Sequence, residues 1–382
     1  MSTPGSLFGA LFFTPPKRSD VIHDPAADVL AFMARPCVDP TSDEEAFNAL
    51  ALRLFAHQVE HNPALRRFCQ ERGRLPRTVR HWRDIPAVPI QAFKDLTLSC
   101  VSIESCQRVF MTSGTTRADI KGRHYHPALE VYDTSMRLNF QQAFMGPMER
   151  MPMLVMFPTE QAMPHSSLAH YLALAMQTFG TPDSLYGIDE QGMTLTRVVS
   201  WLQKAQSQAQ PVAVLGASYS LVHLMDALRE QGLRFQLPAG SRVLDTGGFK
   251  GQSREIPVHD FYELLCQSFG VERHQCINMY GMTELSTQWY DQGNAELPSI
   301  KRGPAWIRWR LVDPISGRDV PAGQEGIVVH CDLANYNSVT TLLTEDVGVA
   351  AEDGFRLLGR AQGSQAKGCS MAIDSFLQAS RA

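Results

Sequence analysis

The spacing of hydrophobic residues changes along the chain. Near the N-terminus Phe47, Ala51, Leu54 and Phe55 recur with the period of a helix face. The proline-rich stretch 84–89 predicts extended chain, because proline disfavours helical geometry in the residue before it. From about residue 108, short apolar runs alternate with helical segments. Strands are predicted at 108–111, 153–157, 212–215, 242–244 and 276–279, and helices at 127–144, 167–179, 218–231 and 258–269.

This alternation is typical of an α/β fold with a parallel sheet. Later stretches at 305–312 and 326–331 are predicted to be β-rich. Residues 359–368 contain three glycines and are predicted to form a mobile loop before a short terminal helix. The pattern therefore predicts three parts: a mostly helical N-terminal part of the same unit (1–100), a core (101–360) and a mobile C-terminal segment (361–382).

Composition and charge exclude several classes of protein. Of 382 residues, 44% are hydrophobic and 19% are charged, as in ordinary globular proteins, and the net charge of -4 gives no basic field for nucleic acid. Eight cysteines without a CxxC pair suggest reduced thiols in a cytoplasmic protein. No apolar run approaches the roughly 20 residues that a membrane span needs. We therefore expect neither a nucleic-acid partner nor a membrane span.

A run of hydroxyl-bearing residues and glycine follows the strand predicted at 108–111. It consists of Thr112, Ser113, Gly114, Thr115 and Thr116. Hydroxyls and backbone N–H groups on such a turn form a nest that can hold phosphate oxygens. Three cationic residues between 117 and 123, Lys121 among them, add positive charge. Taken alone, the run also fits a solvent-exposed turn.

A second motif, residues 278–284, follows the strand predicted at 276–279, where an open α/β sheet usually binds its ligand. It contains Tyr280 and Gly281, then Thr283 and Glu284. The Glu284 carboxylate could hold Mg²⁺, and Thr283 could bond a phosphate or a substrate carboxylate. The alternative is a turn before a helix that Thr283 caps.

Two more motifs complete the set. Residues 245–251 include Gly247, Gly248 and Lys250, and paired glycines let a flat base approach the backbone. Residues 344–348 include Asp346, and Arg360 follows; a carboxylate can accept hydrogen bonds from both ribose hydroxyls. Each of these motifs alone also reads as a turn.

In this order the four motifs resemble the adenylate-forming superfamily of acyl-CoA synthetases, luciferases and peptide-synthetase adenylation domains. The implied fold is the large N-terminal domain of that superfamily, α/β with parallel-rich sheets, helices and a late β-rich portion. The implied cofactors are ATP and Mg²⁺. The resemblance implies that the first motif holds the ATP phosphates, that the paired glycines lie along the adenine, and that Asp346 and Arg360 bind ribose. The Tyr280–Glu284 motif would cover adenine, the substrate carboxylate and Mg²⁺.

Two departures from that superfamily narrow the resemblance. Lys121 is displaced from the lysine position of the usual phosphate loop, and only 22 residues follow Arg360 (382 − 360). The usual small C-terminal domain with its catalytic lysine is therefore expected to be absent, which leaves open whether Lys121 or Lys250 replaces that lysine. Such a chain resembles the LuxE acyl-protein synthetase family. The similarity includes residues 85–94, 247–250 and 367–370 and covers nearly everything after the first thirty residues.

The LuxE resemblance implies that Cys369 accepts the acyl group from the adenylate. Cys369 follows the glycine-rich stretch predicted to be mobile, and Lys367 lies two residues away. A nearby cation would favour the thiolate, which is the nucleophilic form of cysteine. The alternative is a terminal cysteine without a function.

Three residues are candidates for the acid-binding pocket. His165 lies where related enzymes have an acyl-pocket histidine, and Ser218 and Tyr219 open a helix that would border the acyl tunnel. Helix capping explains Ser218 equally well. His124 and His126 lack a third metal ligand in the sequence and are expected to be solvated.

The sequence therefore predicts a ligase that activates a carboxylic acid, a fatty acid by resemblance, as an acyl-adenylate and passes the acyl group to a protein thiol. The catalytic residues would be Thr283, Glu284 and Cys369. The resemblance implies an acyl-reductase partner. Two alternatives remain open: a ligase of the phenylacetate-CoA ligase type, and a non-catalytic binding module. The sequence leaves open the acid, the final acceptor and the oligomeric state.

Overall fold

The computed structural model describes residues 24–36, 40–113, 120–249 and 253–381. The helices are α1 (Pro25–Met33), α2 (Pro40–His61), α3 (Pro63–Glu71), α4 (Ala92–Asp95), α5 (Glu130–Phe140), α6 (Ser167–Phe179), α7 (Leu195–Ser207), α8 (Ser218–Glu230), α9 (Val258–Phe269) and α10 (Gly363–Arg381). The strands are β1 (Val88–Pro89), β2 (Arg108–Met111), β3 (Arg123–His126), β4 (Met153–Met156), β5 (Leu185–Tyr186), β6 (Ile188–Asp189), β7 (Gly192–Met193), β8 (Ala213–Ala217), β9 (Arg242–Thr246), β10 (Cys276–Tyr280), β11 (Trp289–Tyr290), β12 (Ile300–Lys301), β13 (Ile307–Val312), β14 (Glu325–Asp332), β15 (Thr341–Ala351) and β16 (Gly354–Arg360).

The predicted α/β alternation is confirmed by a six-stranded sheet in the order β11-β10-β9-β8-β4-β5. All neighbours in it are parallel except β10 and β11. Successive side chains of a strand point to opposite faces. Accordingly Leu154 and Met156 pack with α7, α8 and α9, whereas Met153 and Val155 pack with α5 and α6. The sheet is therefore covered by helices on both faces, as parallel sheets usually are.

The predicted late β-rich portion forms a second sheet in the order β12-β16-β15-β14-β13, with β1 pairing in parallel to β15. One core cluster joins this sheet to the N-terminal helices. The predicted helical stripe of α2 is buried in that cluster, since Phe47, Ala51, Leu54 and Phe55 are each fully buried. The described N-terminal helices and the second sheet therefore share one hydrophobic core.

The predicted loop at 359–368 is wrong. Residues 359 and 360 end β16, and α10 begins at Gly363 and continues to Arg381. On α10, the buried residues Cys369, Phe376 and Ala379 lie on one face, and the Phe376 ring packs 4.5 Å from that of Phe68 on α3. Burial of this face outweighs the roughly 1 kcal/mol that each helical glycine costs.

Among the described residues, no helix is both long enough and apolar enough to cross a bilayer.

Candidate active site

Candidate residues of both the acid pocket and the ATP site converge at one edge of the parallel sheet. Ser218 directly follows β8, Gly247 follows β9 and Gly281 follows β10. These strands are parallel, so their carboxyl ends meet at the same edge, where open α/β sheets bind ligands. The edge thus brings together residues separated by more than sixty positions in the sequence.

Asp245, at the end of β9, organises the paired-glycine turn. Its carboxylate accepts hydrogen bonds from Ser218 Oγ (2.9 Å), Asn278 Nδ2 (2.9 Å) and the Tyr262 hydroxyl (2.9 Å). Burial raises the pKa of Asp245 to about 6, although these bonds act to lower it. Ser218 Oγ also lies 3.1 Å from the carbonyl oxygen of Thr246, so its single proton is shared between the two acceptors. The hydroxyl of Ser218 therefore fixes the turn, and the residue at the N-cap of α8 is Ala217.

The turn after β9 needs glycine for its backbone. Gly247 has a φ of 74°, in the left-handed region that favours glycine. A Cβ built on Gly248 would have no described atom within 4 Å. The backbone at Gly248 is therefore open to close approach by a flat group. Lys250 lies outside the described residues.

Tyr280 and Asp346 join the second and fourth motifs. The Tyr280 hydroxyl donates a 2.7 Å hydrogen bond to Asp346 Oδ2, and Arg360 Nε lies 3.2 Å from Asp346 Oδ1. Asp346 and Arg360 are direct partners in the β15–β16 pairing. Burial raises the pKa of Asp346, while Arg360 and the Tyr280 hydrogen bond act to lower it. The pair forms a polar edge that could bond the hydroxyls of a sugar.

Glu284 is a buried carboxylate beside Thr112. Thr112 is the first residue of the hydroxyl-rich run 112–116, called the phosphate-loop motif below. A Cβ built on Gly122 would lie 3.5 Å from Glu284 Oε1 and 3.1 Å from Thr112 Cγ2. Thr112 Oγ1 accepts a 2.9 Å hydrogen bond from the Gly122 N–H. Burial raises the pKa of Glu284 to about 7, and the positive charges of Arg360 and Lys94 partly oppose this. A neighbouring cation would stabilise the ionised form of such a carboxylate.

Of the phosphate-loop motif, Gly114, Thr115 and Thr116 lie outside the described residues, whereas Thr112 is half-buried and Ser113 is exposed.

The backbone of Thr283 is held by His124, a residue whose role the sequence did not indicate. His124 Nδ1 donates to the Thr283 carbonyl at 3.0 Å, and its Nε2 lies 3.0 Å from Ser338 Oγ. Burial lowers the pKa of His124 to about 4, so the ring is neutral. The expectation that His124 and His126 are solvated is wrong, since both are buried. Within the described residues, no three His, Cys, Asp or Glu side chains are grouped to hold a metal.

Residues 284–287 are clamped by β14 and the turn that follows it. Asn335 Nδ2 donates to the carbonyl of Glu284 at 2.8 Å, and Asp332 accepts from the backbone N–H groups of Ser286 and Thr287. No helix follows Thr283, because this segment continues into β11. The alternative that Thr283 caps a helix is therefore wrong. The clamp could not be predicted, since Asp332 and Asn335 belong to no recognisable motif.

The candidate acid-pocket residues lie in different settings. His165 is exposed, and its Nδ1 lies 3.2 Å from the carbonyl of Val109 on β2. Tyr219 is half-buried against the cluster that covers the α5–α6 face of the parallel sheet. Ser218 is buried and is bonded to Asp245. The structure therefore places Ser218 in the support of the glycine turn.

Cys369 lies in the packed face of α10. It is 4% exposed and clusters with Val329, Leu343 and Val347 of the second sheet. Burial raises the pKa of its thiol to about 11, and the negative charges of Glu345 and Asp346 act in the same direction. The expectation that Lys367 favours the thiolate is therefore wrong for this position of the helix.

Comparison with solved structures defines the class of the fold. A 2-hydroxyisobutyryl-CoA ligase, solved with its acyl-adenylate and coenzyme A, superposes with a TM-score of 0.60 at 16% identity, covering 85% of this chain and 76% of the ligase. The same ligase in its postadenylation state gives a TM-score of 0.62 at 15% identity, over 85% of this chain and 69% of the ligase. The fold is therefore that of the adenylate-forming ligases.

The chain belongs to the LuxE acyl-protein synthetase family, whose model matches residues 14–378. It is thus a ligase. A long-chain-fatty-acid–luciferin-component ligase of Vibrio harveyi is 22% identical over 376 residues, covering 95% of this chain and 97% of the relative. The corresponding ligase of Aliivibrio fischeri is 20% identical over 380 residues, with the same coverage of both chains.

Proposed function

We propose that this ligase activates a fatty acid with Mg·ATP to an acyl-adenylate and then transfers the acyl group to the thiol of Cys369. The observation that carries the proposal is the contact of motifs distant in sequence at one sheet edge. Tyr280 bonds Asp346, and Glu284 adjoins Gly122 and Thr112. The relatives from Vibrio harveyi and Aliivibrio fischeri are named for a long-chain fatty acid, which supports that substrate class.

In the first step a carboxylate oxygen of the acid attacks the α-phosphorus of ATP, and pyrophosphate leaves with the electron pair of the broken P–O bond. The product is a mixed anhydride, which is a better acyl donor than the free acid. Asp346 and Arg360 would hold the ribose, and Gly247 and Gly248 would face the adenine. Thr112 and Thr283 would bond phosphate or carboxylate oxygens, so that these groups are aligned for attack.

Glu284 would hold a Mg²⁺ ion beside the ATP phosphates. The environment of Glu284 suits a cation. Burial disfavours the ionised carboxylate and raises its pKa to about 7, and a bound cation would stabilise the ionised form. A bound Mg²⁺ would neutralise charge that develops on the phosphates. His124 and Asn335 would keep the residue in place, since they bond the carbonyls of Thr283 and Glu284.

In the second step the Cys369 sulfur attacks the acyl carbon, AMP leaves, and the thiol proton passes to solvent. Cys369 must first leave its packed position, because its buried thiol is protonated. It lies nine residues after Arg360 (369 − 360), and an extended segment of that length spans about 30 Å. Unwinding the first turns of α10 would therefore let Cys369 reach the adenylate. A partner, an acyl reductase by family resemblance, would accept the acyl group next.

Intact-protein mass spectrometry after incubation with ATP, Mg²⁺ and fatty acids of several chain lengths tests the proposal. Wild type should gain a hydroxylamine-sensitive acyl mass, and Cys369→Ser should lose it while retaining ATP–pyrophosphate exchange. Cys266→Ser, which changes a half-buried cysteine on α9, is the matched control and should keep the adduct. An adduct that survives Cys369→Ser would refute the assigned acceptor, and absence of acid-dependent exchange in wild type would refute adenylation.

Free coenzyme A is the second candidate acceptor, and the burial of Cys369 favours it. In that case neither wild type nor Cys369→Ser would carry an acyl adduct. Product formation would depend on added coenzyme A and would be unchanged in Cys369→Ser.

A further inference from the structure

The short helix α4 forms a wall of the candidate active site. Phe93 on this helix is buried, and its ring packs 5.5 Å from that of His124. A Cβ built on Gly122 would lie 3.5 Å from Phe93 Cβ and equally far from Glu284 Oε1. Phe93 and Glu284 therefore flank the same glycine, and the next residue of α4 is Lys94.

Lys94 forms no ion pair with another residue in the part of the chain that the structure describes. Its side chain is half-buried, and no Asp or Glu of the described residues lies within 4.0 Å of its ammonium. Its positive charge nevertheless acts on the nearby carboxylate of Glu284. Arg360, the other cation that acts on Glu284, is already bonded to Glu345 and Asp346. Partial burial of an unpaired ammonium is unfavourable unless an anion joins it.

The position of Lys94 favours phosphate over ribose as that anion. Gly122, which α4 contacts through Phe93, also contacts Thr112 at the base of the phosphate-loop motif. The ribose candidates Asp346 and Arg360 are bonded to each other and to Tyr280. Lysine binds phosphate as a point charge on a flexible stem, so a small movement of that stem suffices.

We infer that Lys94 binds the ATP phosphates beside Glu284 and supplies positive charge to the pyrophosphate as it leaves. This inference rests on the proposed adenylation. The sequence offered Lys121 and Lys250 as candidates for the active-site lysine. The inference places that cation on α4 instead. Lys121 is exposed, and Lys250 lies outside the described residues.

Lys94→Met and Lys94→Arg separate charge from shape, because Met keeps most of the stem and Arg keeps the charge. In ATP–pyrophosphate exchange, Lys94→Met should raise the KM for ATP and for pyrophosphate about tenfold or more, as expected for loss of a charged hydrogen bond. The KM for the acid should not change. Lys94→Arg should restore most of the affinity. Lys204→Met, which changes an exposed lysine on α7, is the matched control.

Direct binding of Mg·ATP, measured by calorimetry without acid, separates this inference from the proposed function. Wild type that binds Mg·ATP but exchanges with no acid would refute adenylation, whereas weaker binding by Lys94→Met would still support the phosphate contact. Unchanged binding by Lys94→Met, a rise in the acid KM alone, or a tenfold loss in Lys121→Met with none in Lys94→Met would each overturn the inference. Thermal unfolding of each variant would exclude misfolding as the cause.

Discussion

The Cys369 sulfur lies 3.9 Å from the carbonyl oxygen of Thr344, only two residues before Asp346 in β15. The side chains of Cys369 and Asp346 nevertheless lie on opposite faces of β15. Cys369 packs against Leu343 and Val347, whereas the side chain of Asp346 bonds Tyr280. Because neighbouring residues of a strand alternate between faces, the proposed acceptor and the proposed ribose site are separated by the sheet itself. Acyl transfer to Cys369 would therefore require α10 to move.

Weakening the packing of α10 should make Cys369 more reactive. Phe376 is fully buried against Phe68, and Phe→Ala changes in a core cost about 3–5 kcal/mol, which here falls mainly on the docking of α10. Phe376→Ala should therefore speed alkylation of Cys369 by iodoacetamide, followed by peptide mass spectrometry. Met371→Ala, an exposed change on the same helix, should have little effect. An alkylation rate in Phe376→Ala equal to that of wild type would contradict the docked position of Cys369.

Glu284 should make stability depend on pH in the ligand-free protein. Its folded pKa of about 7 lies above the ordinary value of 4.5, so the folded state holds this proton more tightly than the unfolded state. The stabilising contribution is full below pH 4.5 and is lost as the pH rises through 7. Relative to wild type, Glu284→Gln should gain up to about 3 kcal/mol of unfolding free energy between pH 5 and 8.

Urea unfolding at several pH values measures this gain. Glu325→Gln, at an exposed position on β14, is the control and should show no such trend. The same Glu284→Gln variant should lose Mg²⁺-dependent exchange, so increased stability and lost activity should occur together. Parallel stability curves for Glu284→Gln and wild type would show that the carboxylate is not held in a costly environment.

Asp346→Ala should weaken ATP binding, because hydrogen bonds to a charged group contribute about 1.5–3 kcal/mol. Glu345→Ala is a matched control, since it removes the same charge from the adjacent residue, which also pairs with Arg360. Calorimetric titration with Mg·ATP should show a loss of about tenfold or more for Asp346→Ala and a much smaller effect for Glu345→Ala. Equal losses in the two variants would indicate a general effect of charge and would argue against ribose binding.

Ser218→Ala distinguishes support of the glycine turn from a place in the acid pocket. The change removes the hydroxyl whose single proton is shared between Asp245 and the carbonyl of Thr246. It should raise the KM for ATP while leaving the preference for acid chain length as in wild type. Pyrophosphate exchange with a series of fatty acids measures both quantities. A shifted chain-length preference with an unchanged KM for ATP would instead place Ser218 at the acyl tunnel.

Local sequence pattern was sufficient for much of the fold. The predicted helices at 167–179 and 258–269 match α6 and α9, and the predicted strands of the parallel sheet are present. Hydrophobic residues that recur every two residues indicate a strand, and those that recur every 3.6 residues indicate a helix. This spacing also shows which face of the element is buried, even when the segment that packs against it is unknown. The order of the four motifs likewise indicated the class of ligase, because their residue types and spacing are local features of the chain.

Tertiary structure alone decided the surroundings of those motifs. Glycines suggested a loop where α10 forms, although the spacing of Cys369, Phe376 and Ala379 already fits one helix face. That face becomes stable only when α3 and the second sheet cover it. The hydrogen bonds of His124 to Thr283 and of Asn335 to Glu284 depend on contacts between distant segments. The separation of Cys369 from Asp346 by a strand depends on such contacts as well. The sequence by itself determined most of the elements, the motifs and the family. Burial of the Cys369 thiol arose only from packing, because the solvation of a side chain depends on what the rest of the chain places around it.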